Sequence, residues 1–243
     1  MAAVALVAVA LVPTRGRAIG EATAFDARQL VYDGGNADAR PTAMRRLAWE
    51  VRKRTSVDTR LAPSRVRLSD PALFDQPFLW WTGDAAFPPI PAADLAALRR
   101  FVTLGGFVFV DDASPGERGF DESVRRDLGR AFPGRLAPLS SAHVLYRSFY
   151  LLDRPVGRVV GPDGVEAIVD GGRAAVVYSR HDVGGALARD NFGTWEHAVE
   201  PGGDRQRELA TRFAVNVVLY TLCLDYKDDQ VHAPFILRRR GGP

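Results

Sequence analysis

Three short apolar runs, Phe78–Thr82, Phe107–Val110 and Ala174–Tyr178, have no polar face, and each stops at a polar or glycine-bearing turn. Strands buried on both faces belong inside a parallel sheet, whereas one-sided alternation marks an antiparallel sheet open to water. Between the runs, apolar residues recur at helical spacing instead. Pro41 opens one such stretch, with Met44, Leu47, Ala48 and Val51 in phase. Pro91 starts a second, with Leu95, Leu98 and Val102 ahead of the Gly105-Gly106 stop. A third carries Val124, Leu128 and Phe132, with Asp121 and Glu122 in its first turn, where acids offset the helix dipole. The last runs from near Arg205 to Leu224, with Leu209, Phe213, Val217, Tyr220 and Leu224 on its core face.

Weaker signals fill the gaps. Arg28–Tyr32 predicts a strand closed by the turn Asp33-Gly34-Gly35-Asn36, and a short extended piece is expected near Val66-Arg67-Leu68. Pro133–Gly172 reads as loop-rich, with a hairpin expected around Gly161-Pro162-Asp163-Gly164. Strands alternating with helices imply right-handed βαβ units and a covered parallel sheet. The expected fold is therefore α/β, a three-layer, doubly wound, mostly parallel sheet of flavodoxin-like kind. The 243 residues, 47% hydrophobic and 25% charged, suffice for one such core without a staple. One cysteine, Cys223, excludes an intramolecular disulfide and a cysteine-based zinc site, and its helical setting between Leu222 and Leu224 reads as a buried structural thiol.

The ends read differently from the middle. Ala2–Val12 is an unbroken apolar run of 11 residues, too short to cross about 30 Å of hydrocarbon. It suits the apolar region of a secretory signal, with Gly16 and Ala18 as the small residues of a cleavage site. Residues 1–21 are accordingly expected to be a leader, 22–226 a single domain and 227–243 a basic tail ending in Arg238, Arg239 and Arg240. The expected location is the periplasm or the membrane surface, with no membrane span in the mature chain. A net charge of +3, with 29 acids interspersed among 32 bases, gives no clustered basic face, so no nucleic-acid partner is expected.

In open α/β sheets, ligands bind beyond the carboxyl ends of the strands. Four such ends carry polar groups: Asp33 with Asn36, Thr82 with Asp84, Asp111 with Asp112, and Ser179 through His181 to Asp182. Asp111, Asp112, His181 and Asp182 are the candidate catalytic groups. Asp111, Asp112 and Asp182 offer the carboxylate oxygens that a hard divalent cation requires, and two of them could instead share a proton. An aspartate after a strand also caps its own loop, and turn chemistry alone accounts for Asp33-Gly34-Gly35-Asn36. His143, a lone loop histidine, has an ordinary structural reading beside any binding role. Trp195-Glu196-His197 closes a long loop and suits a lid or a partner surface. The chain has no G-x-S-x-G elbow, G-x-G-x-x-G turn, phosphate-binding P-loop or H-E-x-x-H helix.

Several segments in order resemble a bacterial domain-of-unknown-function family, number 4159. They are Tyr32-Asp33-Gly34-Gly35-Asn36, Pro77 through Gly83, Gly105 through Asp112, and Phe120-Asp121 with Arg125-Arg126. His143 ahead of Phe149-Tyr150, then Gly172-Arg173 and Val177-Tyr178-Ser179, extend the likeness over Phe25 to Thr221. That family is similar in turn to the class I glutamine amidotransferase-like fold. The resemblance implies that the turn after Val110 stands at the nucleophile elbow of the amidotransferases. Here that turn carries Asp111, Asp112 and Ala113, so glutaminase chemistry by a thiolate has no nucleophile. The resemblance adds Arg125 to the binding candidates, while Ala142-His143-Val144 departs from the family's Asp-His-Pro. Family members look exported or membrane-associated and are encoded beside AAA+ ATPase and von Willebrand A-type proteins. The functional expectation is non-catalytic binding of a ligand or an envelope protein partner, without a cofactor. The alternative is a metal-assisted hydrolase or lyase that holds a divalent cation on the strand-end carboxylates.

Overall fold

The structure is a computed structural model that describes residues 24–240, with side chains through residue 223. The leader assigned to residues 1–21 and the side chains of the basic tail lie outside the described residues. Seven strands form one sheet in the order β2-β1-β3-β4-β7-β6-β5. These are β1 (Gln29–Leu30), β2 (Arg65–Val66), β3 (Phe78–Gly83), β4 (Phe107–Asp112), β5 (Leu136–Pro138), β6 (Glu166–Asp170) and β7 (Arg173–Ser179). The first five in that order run parallel; β6 is antiparallel to both β7 and β5. The parallel part has the strand order of flavodoxin-like sheets. The fold is α/β with a mostly parallel sheet, as the apolar runs require.

Strand alternation divides the apolar side chains between two cores. Phe78, Trp80, Phe107, Phe109 and Val177 pack with α1 (Ala43–Arg54), α4 (Val183–Leu187) and α5 (Gly203–Arg240). Their neighbours Leu79, Trp81, Val108, Val110 and Val176 pack with α2 (Ala92–Thr103) and α3 (Arg118–Ala131). Successive strand residues point to opposite faces, so a two-faced apolar run feeds both cores at once. The helical stripes read from sequence are the buried ones: Met44, Leu47 and Val51 in α1, and Leu95, Leu98 and Val102 in α2.

Three expectations need correction. The hairpin lies between β6 and β7, where Gly171 and Gly172 take φ of +57° and +84°. Two residues with positive φ make the tight turn that matches strand twist, and glycine takes that backbone without strain. Gly161 and Pro162 instead meet the segment after β7, with Gly161 against the His181 ring. The last helix continues to Arg240, past the expected end at Leu224 and through most of the stretch read as a tail. Cys223 is exposed, not buried. Burial along α5 is complete from Phe213 to Val218 and fades to a half-buried Leu222, so the helix is leaving the core at the cysteine.

Candidate functional site

Register alone brings the candidate strand ends together. Thr82 lies beside Asp111, Gly83 beside Asp112, and Asp111 beside Ser179. Asp111 is fully buried, and its carboxylate accepts the Val183 N–H at 2.9 Å and the Gly184 N–H at 2.7 Å. It thus closes the open start of α4 from a different strand, meeting amides that a helix leaves unpaired. Asp182 closes the same helix from within the chain. It sits at φ +50° and accepts the Gly185 N–H at 2.9 Å. Arg40 donates to both its oxygens, from Nε at 2.9 Å and Nη2 at 2.8 Å, and Arg158 donates its Nε–H as well.

A side chain is excluded at Gly185 and crowded at Gly184, where these carboxylates approach the backbone. A Cβ on Gly185 would collide with the Asp182 carboxylate, and one on Gly184 would stand 3.1 Å from Asp111 Oδ2. Burial pushes the Asp111 carboxyl well above the usual carboxylate range, and the Asp182 charge adds to the rise. The Gly184 and Val183 amides oppose it.

Asp112 is the exception in this cluster. Its Oδ1 accepts the Ser114 N–H at 2.9 Å, but its buried Oδ2 has no hydrogen-bond partner. Burial raises its pKa to about 6; the Ser114 amide pulls it down, Asp121 pushes it up and Arg180 pulls it down. That oxygen can accept a hydrogen bond when the group is ionised and donate one when it is protonated.

His181 is buried and fully engaged. Its Nε2 lies 2.8 Å from the Pro162 carbonyl oxygen, which can only accept, so Nε2 carries the proton. Its Nδ1 then accepts from the Ser179 hydroxyl at 2.9 Å. Burial lowers its pKa, which keeps the ring neutral. The pair fixes the loop through Pro162 to the end of β7.

The remaining candidates are dispersed. Thr82 donates its hydroxyl to the Asp111 carbonyl at 2.8 Å and locks the ends of β3 and β4 together. Asn36 donates to Asp84 at 3.0 Å across two exposed turns, and Asp33 pairs with Arg67 at 3.0 Å in solvent. Arg125 bridges Asp121 and Glu166, tying α3 to β6, while Tyr178 donates its hydroxyl to Asp121 at 2.9 Å. His143 lies apart, where its Nδ1 accepts the Leu145 N–H at 3.1 Å and its ring meets Tyr220 edge-on. Trp195 is surrounded by the guanidinium groups of Arg207, Arg189 and Arg46, at 4.2, 4.9 and 5.3 Å from the ring centroid.

Of the expected metal set, Asp111 and Asp182 turn their oxygens to amide and guanidinium donors. Among the described residues, no group of three or more His, Cys, Asp or Glu is placed to hold a metal ion. Sequence reasoning missed Arg40 and Arg158, which come from loops 142 and 24 residues away from Asp182. The only signal for them is indirect, because a buried aspartate demands a counter-charge from somewhere.

Two cavities flank the strand ends and share the Val159–Pro162 segment as a wall. One, of about 600 Å³, opens between Ser114–Glu117, Arg158 and Arg180. The other, of about 360 Å³, lies between His181, Pro155, Val156 and the start of α5.

Comparison with known proteins gives a family and no activity. No curated protein matches the chain. The family model described as Domain of unknown function (DUF4159) matches residues 27–222, which include all seven strands and both cavities. The chain belongs to the DUF4159 family.

Proposed function

We propose that this chain is a binding domain of the cell envelope, exported by its leader, which takes a ligand or protein partner without transforming it. Its scaffold is a three-layer, doubly wound sheet of the class I glutamine amidotransferase-like kind. The two separate cores, with α1, α4 and α5 in one and α2 and α3 in the other, support that layering. One observation carries the functional reading: the polar groups gathered at the strand ends spend their hydrogen bonds on the framework. Asp111 and Asp182 hold α4, Arg40 and Arg158, and both ring nitrogens of His181 are occupied. The cavities beside them remain open to a guest.

A second reading, a metal-assisted hydrolase or lyase, is favoured by the unpartnered Asp112 Oδ2. Thermal melts with Mg²⁺, Ca²⁺, Mn²⁺ and Zn²⁺ separate the two, with an Asp112→Asn variant as control. A cation at about 100 times its dissociation constant adds roughly 2.7 kcal/mol, several degrees for a chain of this size. The binding-domain reading expects melts that no metal moves. A rise that Asp112→Asn removes would overturn it in favour of the enzyme.

A further inference from the structure

The cavity of about 360 Å³ has a lining that specifies a class of guest. Its volume is at the lower end of ligand clefts, which run from about 300 to 1,000 Å³, so the guest is small. Pro155, Val156, Val159, Pro162 and Leu209 make its walls largely apolar. The polar groups among those walls are already committed. Gln206 donates its amide to the Gly157, Arg158 and Glu200 carbonyls, and His181 donates its ring N–H to Pro162.

Two lining groups are not committed. Arg154 and Arg205 are exposed, and among the described residues neither guanidinium has an ion-pair or hydrogen-bond partner. The lining holds one carboxylate, Asp163, against these two arginines, so its excess charge is positive. Most other arginines among the described residues are tied to a carboxylate or a carbonyl, as Arg40, Arg125 and Arg158 are. An apolar chamber with uncommitted guanidinium groups is complementary to an amphipathic anion.

We infer that this cavity binds a small free carboxylate with an apolar body, its tail among Val156, Val159, Pro162 and Leu209 and its head at Arg154 and Arg205. The inference rests on the reading of the chain as a binding domain and names the chemistry of its ligand. The apolar tail supplies most of the affinity, because exposed ion pairs are screened by water and salt. The arginines supply selectivity for charge.

The test titrates the full chain with octanoate, octan-1-ol and acetate below any micelle concentration, reading the Gly157, Gly161 and Leu209 amides by nitrogen-15 NMR. Octanoate is expected to move these signals saturably, acetate to leave them in place, and octanol to bind about tenfold more weakly. The surface double variant Arg154→Ala, Arg205→Ala should bring octanoate down to the octanol level without altering the fold. Val156→Trp, which fills the chamber, should abolish both. Equal affinity for octanoate and octanol, or an unchanged double variant, would overturn the anionic class while leaving the binding-domain reading intact. Movement from neither tail would overturn the inference altogether, whereas the metal melts judge the binding-domain reading separately.

Discussion

Replacing Asp112 with asparagine should remove a pH-dependent contribution to stability as well as add a constant cost. The Asp112 carboxyl is buried, one oxygen has no partner, and its pKa stands at about 6. In the unfolded chain it titrates near 3.9. The folded state therefore holds this proton more tightly, so stability falls as pH rises from the unfolded value through the folded one. A gap of about two units corresponds to about 3 kcal/mol in total, of which about 2 kcal/mol falls between pH 4.5 and 8. Asparagine keeps the acceptor for the Ser114 amide but places an N–H₂ where no acceptor exists, a cost of about 1–3 kcal/mol that is independent of pH. The difference between variant and parent is thus the informative quantity. Urea unfolding followed by circular dichroism at pH 4.5 and 8 should show the variant gaining about 2 kcal/mol on the parent as pH rises, with equal urea slopes. A difference that stays flat between the two pH values would refute the reasoning, because it would mean the carboxylate is paired or solvated.

Three further outcomes follow from the same geometry. Asp182→Ala leaves Arg40 and Arg158 without their shared carboxylate, and should cost about 3–5 kcal/mol by chemical denaturation; a loss below about 1 kcal/mol would contradict a buried ion-paired role. Gly185→Ala should destabilise through its collision with Asp182, while Gly129→Ala, exposed in α3 with nothing near its Cβ, should stabilise by up to about 1 kcal/mol; equal melting shifts would refute the distinction. Glu208 accepts from Arg54 and Arg212, and its pKa is lowered to about 2 by the Arg54 hydrogen bond foremost. Its stabilising contribution is present above the ordinary glutamate pKa and is lost as pH falls towards 2, so Glu208→Gln should flatten the acid limb of the melting curve.

The parallel sheet was legible because Phe78–Thr82 and Phe107–Val110 are apolar on both faces, a pattern tied to backbone period alone. The same holds for α1 and α2, whose stripes follow from spacing. The hairpin was misplaced because Gly161-Pro162-Asp163-Gly164 and Gly171-Gly172 carry equally good turn chemistry, and local propensity cannot say which one a neighbouring strand will use. Gly161 is small for a different reason, the His181 ring packed against it. At the strand ends, sequence identified Asp111, Asp112, His181 and Asp182 as neighbours of a common rim, but not their tasks. Whether a carboxylate meets a metal, a substrate or an amide depends on partners far along the chain. Arg40, which decides the matter for Asp182, lies in an unremarkable loop ahead of α1.

The five residues of α4 are too few to be helical on their own, since a helix must overcome a costly nucleus before it propagates. Its first two amides find their acceptor only in Asp111, 72 and 73 residues earlier in the chain. Those two amides gain their acceptor only where β4 and β7 stand side by side. Opening the helix costs two hydrogen bonds to a fully buried side chain. Hydrogen exchange at Val183 and Gly184 is therefore expected to be as slow as in the central strands β4 and β7, far slower than five helical residues would show alone.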